Sequence, residues 1–296
     1  MSESRIIQIS GCDNQNRTGD VIFVHGLDGH PRKTWHPQEK SDDDNFWPAW
    51  LGEDLPDMGI WSLEYNLKSF EWKGTTMPLA DRATNILAVL DSYKIGDRPL
   101  FFITHSMGGL LVKQMLRHAI DYGIPEWKAI LDQTKGIVFF STPHSGANIA
   151  NLVKYMGWVL QTTVSIDELE AHHPRLRELT NVHRNQKKLS KIPIQVYCEE
   201  QKTYWSNVGV LVVDKTSADP GIKGVIPIPL DEDHISICKL KNRESRTYVR
   251  VKNFIEIKKN PKVPLPTLLP KEEMGVEKVP NQDIVRIIEE DYIKKK

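Results

Sequence analysis

The chain has 296 residues, 40% of them apolar and 26% charged, with 39 basic side chains balanced by 39 acidic ones. That length suits one large α/β domain or two small ones, and zero net charge removes the electrostatic case for a nucleic-acid partner. No apolar run approaches a bilayer span, no charged-then-apolar signal pattern opens the chain, and three scattered cysteines fit a reducing compartment, so a cytoplasmic location is expected.

Residues 5–9 read as an edge strand and residues 13–19 as a loop. Val21 to Val24 form a short apolar run that suits a strand buried on both faces, broken at once by Gly26 and Gly29. Ligands of an open parallel sheet sit beyond the carboxyl ends of its strands, which puts this glycine loop beside a crevice. A backbone N–H there, with Leu27 the candidate, can face a developing oxyanion. Phe46, Trp47, Trp50, Leu51 and Leu55 recur at helical spacing. A strand over 60–65 follows, then an amphipathic helix marked by Leu79, Ala83, Ile86, Leu87 and Leu90.

The pivotal stretch is Leu100–Leu111. Phe101, Phe102 and Ile103 predict a buried strand, whereas Leu110, Leu111, Met115 and Leu116 carry a helical period. Ser106 stands at the turn between them, with Thr104, Gly108 and Gly109 as small neighbours that allow strand and helix to approach closely. This is the nucleophile-elbow pattern with Thr104 in its first glycine position. It makes Ser106 the candidate nucleophile and the Met107 N–H a second oxyanion donor.

Residues 135–140 predict another buried strand, stopped by Pro143. Strands alternating with helices imply a mostly parallel sheet with helices on both faces. From about 147 to 191 the strand pattern lapses. Ile149, Leu152, Val153 and Met156 mark one helix, and Leu169, Leu176 and Leu179 another. The insertion suits a lid whose apolar residues receive an acyl chain, and equally a helical pair packed on the sheet. The basic run 183–191 reads as a solvated face, or as a contact for anionic head groups at a membrane surface. Strands are expected at 192–197, 208–214 and 226–230, and a final helix over about 235–257. The domain then spans 1–257. Residues 258–278, rich in Lys, Pro and Glu, read as a linker, and 283–292 as a short helix that docks back or reaches a protein partner.

A serine hydroxyl needs a positioned base. His234, in the loop after the last strand, is the candidate. An acid must orient the imidazole, and the chain order of this architecture is nucleophile, acid, base. Glu199 fits at a strand end; Glu200 and Asp214 are rivals, and Asp233 is less suited beside the base. His105 should point away from its neighbour Ser106 and brace the turn, and His144 should fix its loop by hydrogen bonding. His25, His30, His36, His172 and His173 lack metal spacing, so neither metal nor cofactor is expected.

The segments 23–29 with Thr34 and Trp35, 103–113, 134–146 and 233–238 together resemble α/β-hydrolases of the serine-active-site-containing-protein type. They are more distantly similar to GPI inositol-deacylases. The likeness covers roughly residues 18–256 and implies an α/β-hydrolase fold with Ser106 and His234 in a Ser-His-acid triad. The acid of its Tyr-Glu pattern falls on Glu199, with Cys198 in the tyrosine position. Members of that group are linked to phospholipid handling, so the resemblance implies a serine hydrolase acting on an acyl ester or lipid. Two other functions fit the same sequence: an acyltransferase to a lipid alcohol, and a catalytically weak interaction module that recruits a partner through its tail.

Overall fold

The computed structural model describes residues 4–65, 79–144, 149–160 and 173–259. The chain divides into two units, Met1–Asn260 and Pro261–Lys296; the linker and C-terminal helix expected after residue 259, and Leu169 of the expected second lid helix, lie outside the described residues.

Seven strands make the principal sheet: β1 (Arg5–Ser10), β2 (Gly19–Val24), β3 (Met58–Glu64), β4 (Leu100–His105), β5 (Thr134–Phe140), β6 (Ile194–Glu199) and β9 (Ile228–Leu230). Their spatial order is β1-β3-β2-β4-β5-β6-β9. Only the edge strand β1 runs antiparallel to its neighbour; the other pairs are parallel. Parallel strands need crossovers, and those are supplied by α1 (Trp47–Asp54), α2 (Leu79–Ser92), α3 (Met107–Asp121), α4 (Pro125–Gln133), α5 (Ile149–Leu160) and α6 (His173–Asn185), with α7 (Arg246–Lys259) closing the unit.

The side-chain alternation of each strand decides which layer it feeds. Ile22, Val24, Phe102, Ile137 and Phe139 point to a core shared with α2, α3 and α4. Val21, Phe23, Phe101, Ile103, Val138 and Phe140 point the other way, against Trp47 and Leu51 of α1 and Tyr248, Val251 and Ile255 of α7. Each such side chain contributes about 1.5–3 kcal/mol by leaving water, which explains why these strands read as unbroken apolar runs. A mostly parallel sheet has all its carboxyl ends on one edge, and Val24, His105, Phe140, Glu199 and Leu230 all end there.

Three expectations are corrected. The strand expected over 208–214 shrinks to β8 (Val208–Val210), which pairs with β7 (Thr203–Trp205) in a separate hairpin. Its continuation is diverted because the Val213 N–H is taken by a carboxylate of Glu199 and the Leu211 carbonyl by Asn151. The last helix starts at Arg246 rather than near 235. Asp233 Oδ1 accepts the Ile235 and Ser236 N–H groups, and Trp47 Nε1 donates to the Cys238 carbonyl, which fixes 234–238 as turns. Helix α4 was not anticipated. Pro125 opens it, and Trp127, Ile130 and Leu131 are its buried residues, a helical spacing present in the sequence.

Candidate active site

Ser106 is held at φ 51° and ψ −126°, between the last residue of β4 and the first of α3. A non-glycine residue in that region costs on the order of 1–3 kcal/mol and persists only where its surroundings impose it. Here the Ser106 N–H donates to the Phe140 carbonyl at 2.9 Å, and the Ser106 carbonyl accepts the Thr142 hydroxyl at 3.1 Å. Thr104 fits the first glycine position of the elbow because its hydroxyl is spent on the Val138 carbonyl of the adjacent strand, 3.0 Å away. Asp28 and Ser141, beyond the ends of β2 and β5, also have positive φ. Strained residues thus follow three adjacent strands at the same edge.

From Ser106 a line of hydrogen bonds runs through buried side chains. Ser106 Oγ lies 3.0 Å from His234 Nε2, and His234 Nδ1 lies 2.8 Å from Glu199 Oε2. The carboxylate accepts the Nδ1 proton, so Nε2 is left to accept the serine proton. All three residues are buried. The second carboxylate oxygen of Glu199 accepts the Val213 N–H at 2.8 Å, and the His234 N–H donates to the Thr203 hydroxyl at 3.0 Å. Both Glu199 and His234 are therefore fixed by a further hydrogen bond.

The two rival acids lie elsewhere. Glu200, just past the end of β6, is exposed. Asp214 Oδ1 caps the Ser217 N–H at 2.8 Å.

The loop after β2 abuts Ser106. A Cβ placed on Gly26 would stand 2.8 Å from Ser106 Cβ, so only glycine permits this approach. Leu27 follows directly and is buried; Met107 opens α3, where first-turn N–H groups have no helical acceptor. His25 supports the loop. Its ring stacks on Tyr65 at 4.4 Å, its Nδ1 donates to the Gly26 carbonyl, and its carbonyl accepts the Tyr65 hydroxyl. Burial lowers the His25 pKa to about 4, which keeps that ring neutral.

The other buried histidines take distinct roles. His105 turns away from the Ser106 side chain, and its Nε2 donates to the His234 carbonyl at 2.7 Å. Burial, with His234 nearby, holds its pKa well below the usual value. His144 corrects the expectation of a hydrogen-bonding ring. Neither ring nitrogen has a partner, and the ring packs edge-on to Phe139 at 4.6 Å. The His144 backbone fixes the loop instead, through the Ser217 carbonyl and the Thr180 hydroxyl. His183 is buried and donates to the Lys113 carbonyl, so it is no part of a solvated basic face.

The insertion divides into two behaviours. Helix α6 packs on α3 through Thr180 and His183 around the buried Lys113 amine. Helix α5 covers His234: the Tyr155 ring meets it edge-on at 4.7 Å. No group of metal-ligating side chains occurs among the described residues.

Residues 15–204 match the family model described as "Putative serine esterase (DUF676)". The chain belongs to this family. Its sequence is also 34% identical over 254 residues to the proteins named SERAC1 of Mus musculus and Homo sapiens, across 80% of this chain and 38% of theirs. It thus spans less than two-fifths of these relatives. Among solved structures, the phospholipase PlaB of Legionella pneumophila, in complex with thio-NAD, superposes with a TM-score of 0.57 at 16% identity, covering 81% of this chain and 59% of that one. A fungal esterase from Rhizomucor miehei gives 0.53 at 14% identity, over 86% and 79%. The fold of this family member is that of the α/β-hydrolases. No helix among its described residues is long and apolar enough to cross a membrane.

Proposed function

We propose that the chain is a serine hydrolase that cleaves a carboxylic ester of a lipid through an acyl-enzyme, with Ser106 as nucleophile, His234 as base and Glu199 as acid. The observation that carries this is the unbroken path Ser106 Oγ–His234 Nε2 and His234 Nδ1–Glu199 at 3.0 and 2.8 Å, on an elbow of strained backbone. Ser106 Oγ attacks the ester carbonyl as its proton passes to His234 Nε2, and Glu199 stabilises the imidazolium. The N–H groups of Leu27 and Met107 receive the oxyanion. His234 then protonates the departing alcohol, and a water deprotonated by the same imidazole releases the fatty acid.

A lipid acyl chain suits α5, whose twelve residues include one charge, Lys154, and whose Tyr155 lies over the base. With the triad buried, substrate entry requires α5 to move, which makes α5 a lid. A fluorophosphonate probe tests the assignment. The wild-type chain is expected to label and Ser106→Ala to stay unlabelled; equal labelling of both, or no labelling of the wild type, rejects it.

A further inference from the structure

The β7–β8 hairpin presents apolar side chains on both its faces. Trp205 and Val208 are directly paired across it and share one face, with 52% and 54% of their surfaces exposed. Tyr204, 67% exposed, lies on the other, its ring crossing Gly209, where a Cβ would come within 2.5 Å of it. An ordinary surface hairpin turns one face to the protein and makes the other polar. Here the face that carries Trp205 and Val208 meets the protein only at its foot, through the buried Thr203 and Val210, and its outer part stays apolar and exposed. The eleven residues 203–213 contain no charge, and Lys202 and Lys215, both exposed, bracket them. Glu200 and Asp214 stand near those lysines, and Gln201 bonds to the Glu232 carbonyl and the Asp231 carboxylate, so the root of the hairpin carries no excess of positive charge.

Both feet of the hairpin hold the candidate triad. At the first foot the Thr203 hydroxyl accepts the His234 N–H; at the second the Val213 N–H donates to Glu199. Between them the Leu211 carbonyl accepts the Asn151 amide of α5. Ile235, next to the base, is 41% exposed. The apolar projection is therefore rooted on the acid, the base and the helix that covers them.

Tryptophan and tyrosine favour the boundary between head groups and acyl chains, where an apolar ring meets a polar edge. We propose that the β7–β8 hairpin is a wedge that inserts Trp205, Val208 and Tyr204 into a lipid surface and so sets the mouth of the site against its substrate. This rests on the lipid-ester function above and adds to it the means of reaching the lipid. A root with no excess of positive charge makes insertion, rather than charge, the source of affinity. Binding to a zwitterionic surface should therefore survive high salt.

The test is sedimentation of the full chain with phosphatidylcholine vesicles at low and high salt, comparing wild type, Ser106→Ala and the double variant Trp205→Ser/Val208→Ser. Brominated phosphatidylcholine reads tryptophan insertion directly. The wild type and Ser106→Ala are expected to bind alike and to be quenched. The double variant should bind roughly tenfold or more weakly, as loss of two apolar side chains implies. Its turnover of a soluble short-chain ester should stay at the wild-type rate. Wild type that fails to sediment, or a double variant that binds equally, overturns the wedge. So does a wild-type dimer that the double variant abolishes while neither binds vesicles, since a second copy then covers the patch. Vesicle binding without ester turnover by the wild type would instead reject the hydrolase and leave the wedge standing.

Discussion

The Nε2 proton of His105 is donated to the backbone carbonyl of His234, 2.7 Å away, so the residue before Ser106 holds the backbone of His234. The two rings lie 5.0 Å apart, and because Gly26 passes close to His105 Nδ1, the glycine loop meets the same imidazole. One side chain thus touches three loops of the site. His105 is a positioning residue, and a displacement of about 1 Å at a reacting group costs up to roughly 100-fold in rate. His105→Phe is expected to lower kcat by 10- to 100-fold with KM nearly unchanged, and to slow fluorophosphonate labelling. His105→Gln, whose amide still donates, should recover most of the loss. Equal defects in both variants would refute the hydrogen bond's role.

Glu199 divides its oxygens between His234 and Val213. Glu199→Gln keeps an acceptor for the Val213 N–H but no longer enforces the Nδ1–H tautomer of His234. A loss in kcat of about 10⁴-fold is expected, as when a triad acid is made an amide. Glu200→Gln and Asp214→Asn should remain within a few-fold of wild type. Steady-state rates on a soluble ester decide among the three carboxylates.

Gly26→Ala would drive a methyl group against Ser106 Cβ and the His105 carbonyl, at 2.8 and 3.1 Å. Neither neighbour is the free end of a flexible side chain, so the loop or the elbow must shift. A loss of about 1–3 kcal/mol in unfolding free energy is expected, together with a fall in kcat under conditions where the variant stays folded. Urea titration beside the ester assay measures both.

Lys113 is buried, donates to the Thr180 hydroxyl, and burial pushes its pKa down to about 7. In the unfolded chain a lysine titrates near 10.4. Between these values the unfolded state holds a proton that the folded state lacks, so stability rises with pH and the gain stops below about 7. Urea midpoints of the wild type should climb from pH 7 to 8, with a limiting slope on the order of 1.4 kcal/mol per pH unit. Lys113→Met should be more stable at pH 7 and nearly flat over that interval. The window stays below the pH at which the three buried thiols, each raised by burial, ionise in the unfolded chain. A wild-type profile as flat as the variant's would show that the amine keeps its ordinary pKa.

What the sequence alone determined is what neighbours along the chain can encode. The change of apolar period between Ile103 and Leu110 marks the turn at Ser106, and the runs at 21–24 and 135–140 mark doubly buried strands. These signals are local because a strand's alternation and a helix's stripe depend only on which side chains must leave water. The helix that starts at 246 and the hairpin that replaced a strand were hidden. Both depend on distant partners, Trp47 for the Cys238 carbonyl and Glu199 for the Val213 N–H.

Only the tertiary structure distinguished Glu199 from Glu200, since adjacent residues of an extended chain face opposite ways and no neighbour says which faces the base. It alone brought Ser106 and His234, 128 residues apart, to 3.0 Å. It also gave His105, His144 and His183 three different environments from one residue type. Those outcomes belong to the parallel sheet, which gathers its carboxyl ends on one edge, and the energy that aligns them is spread over a core that no single stretch of sequence contains.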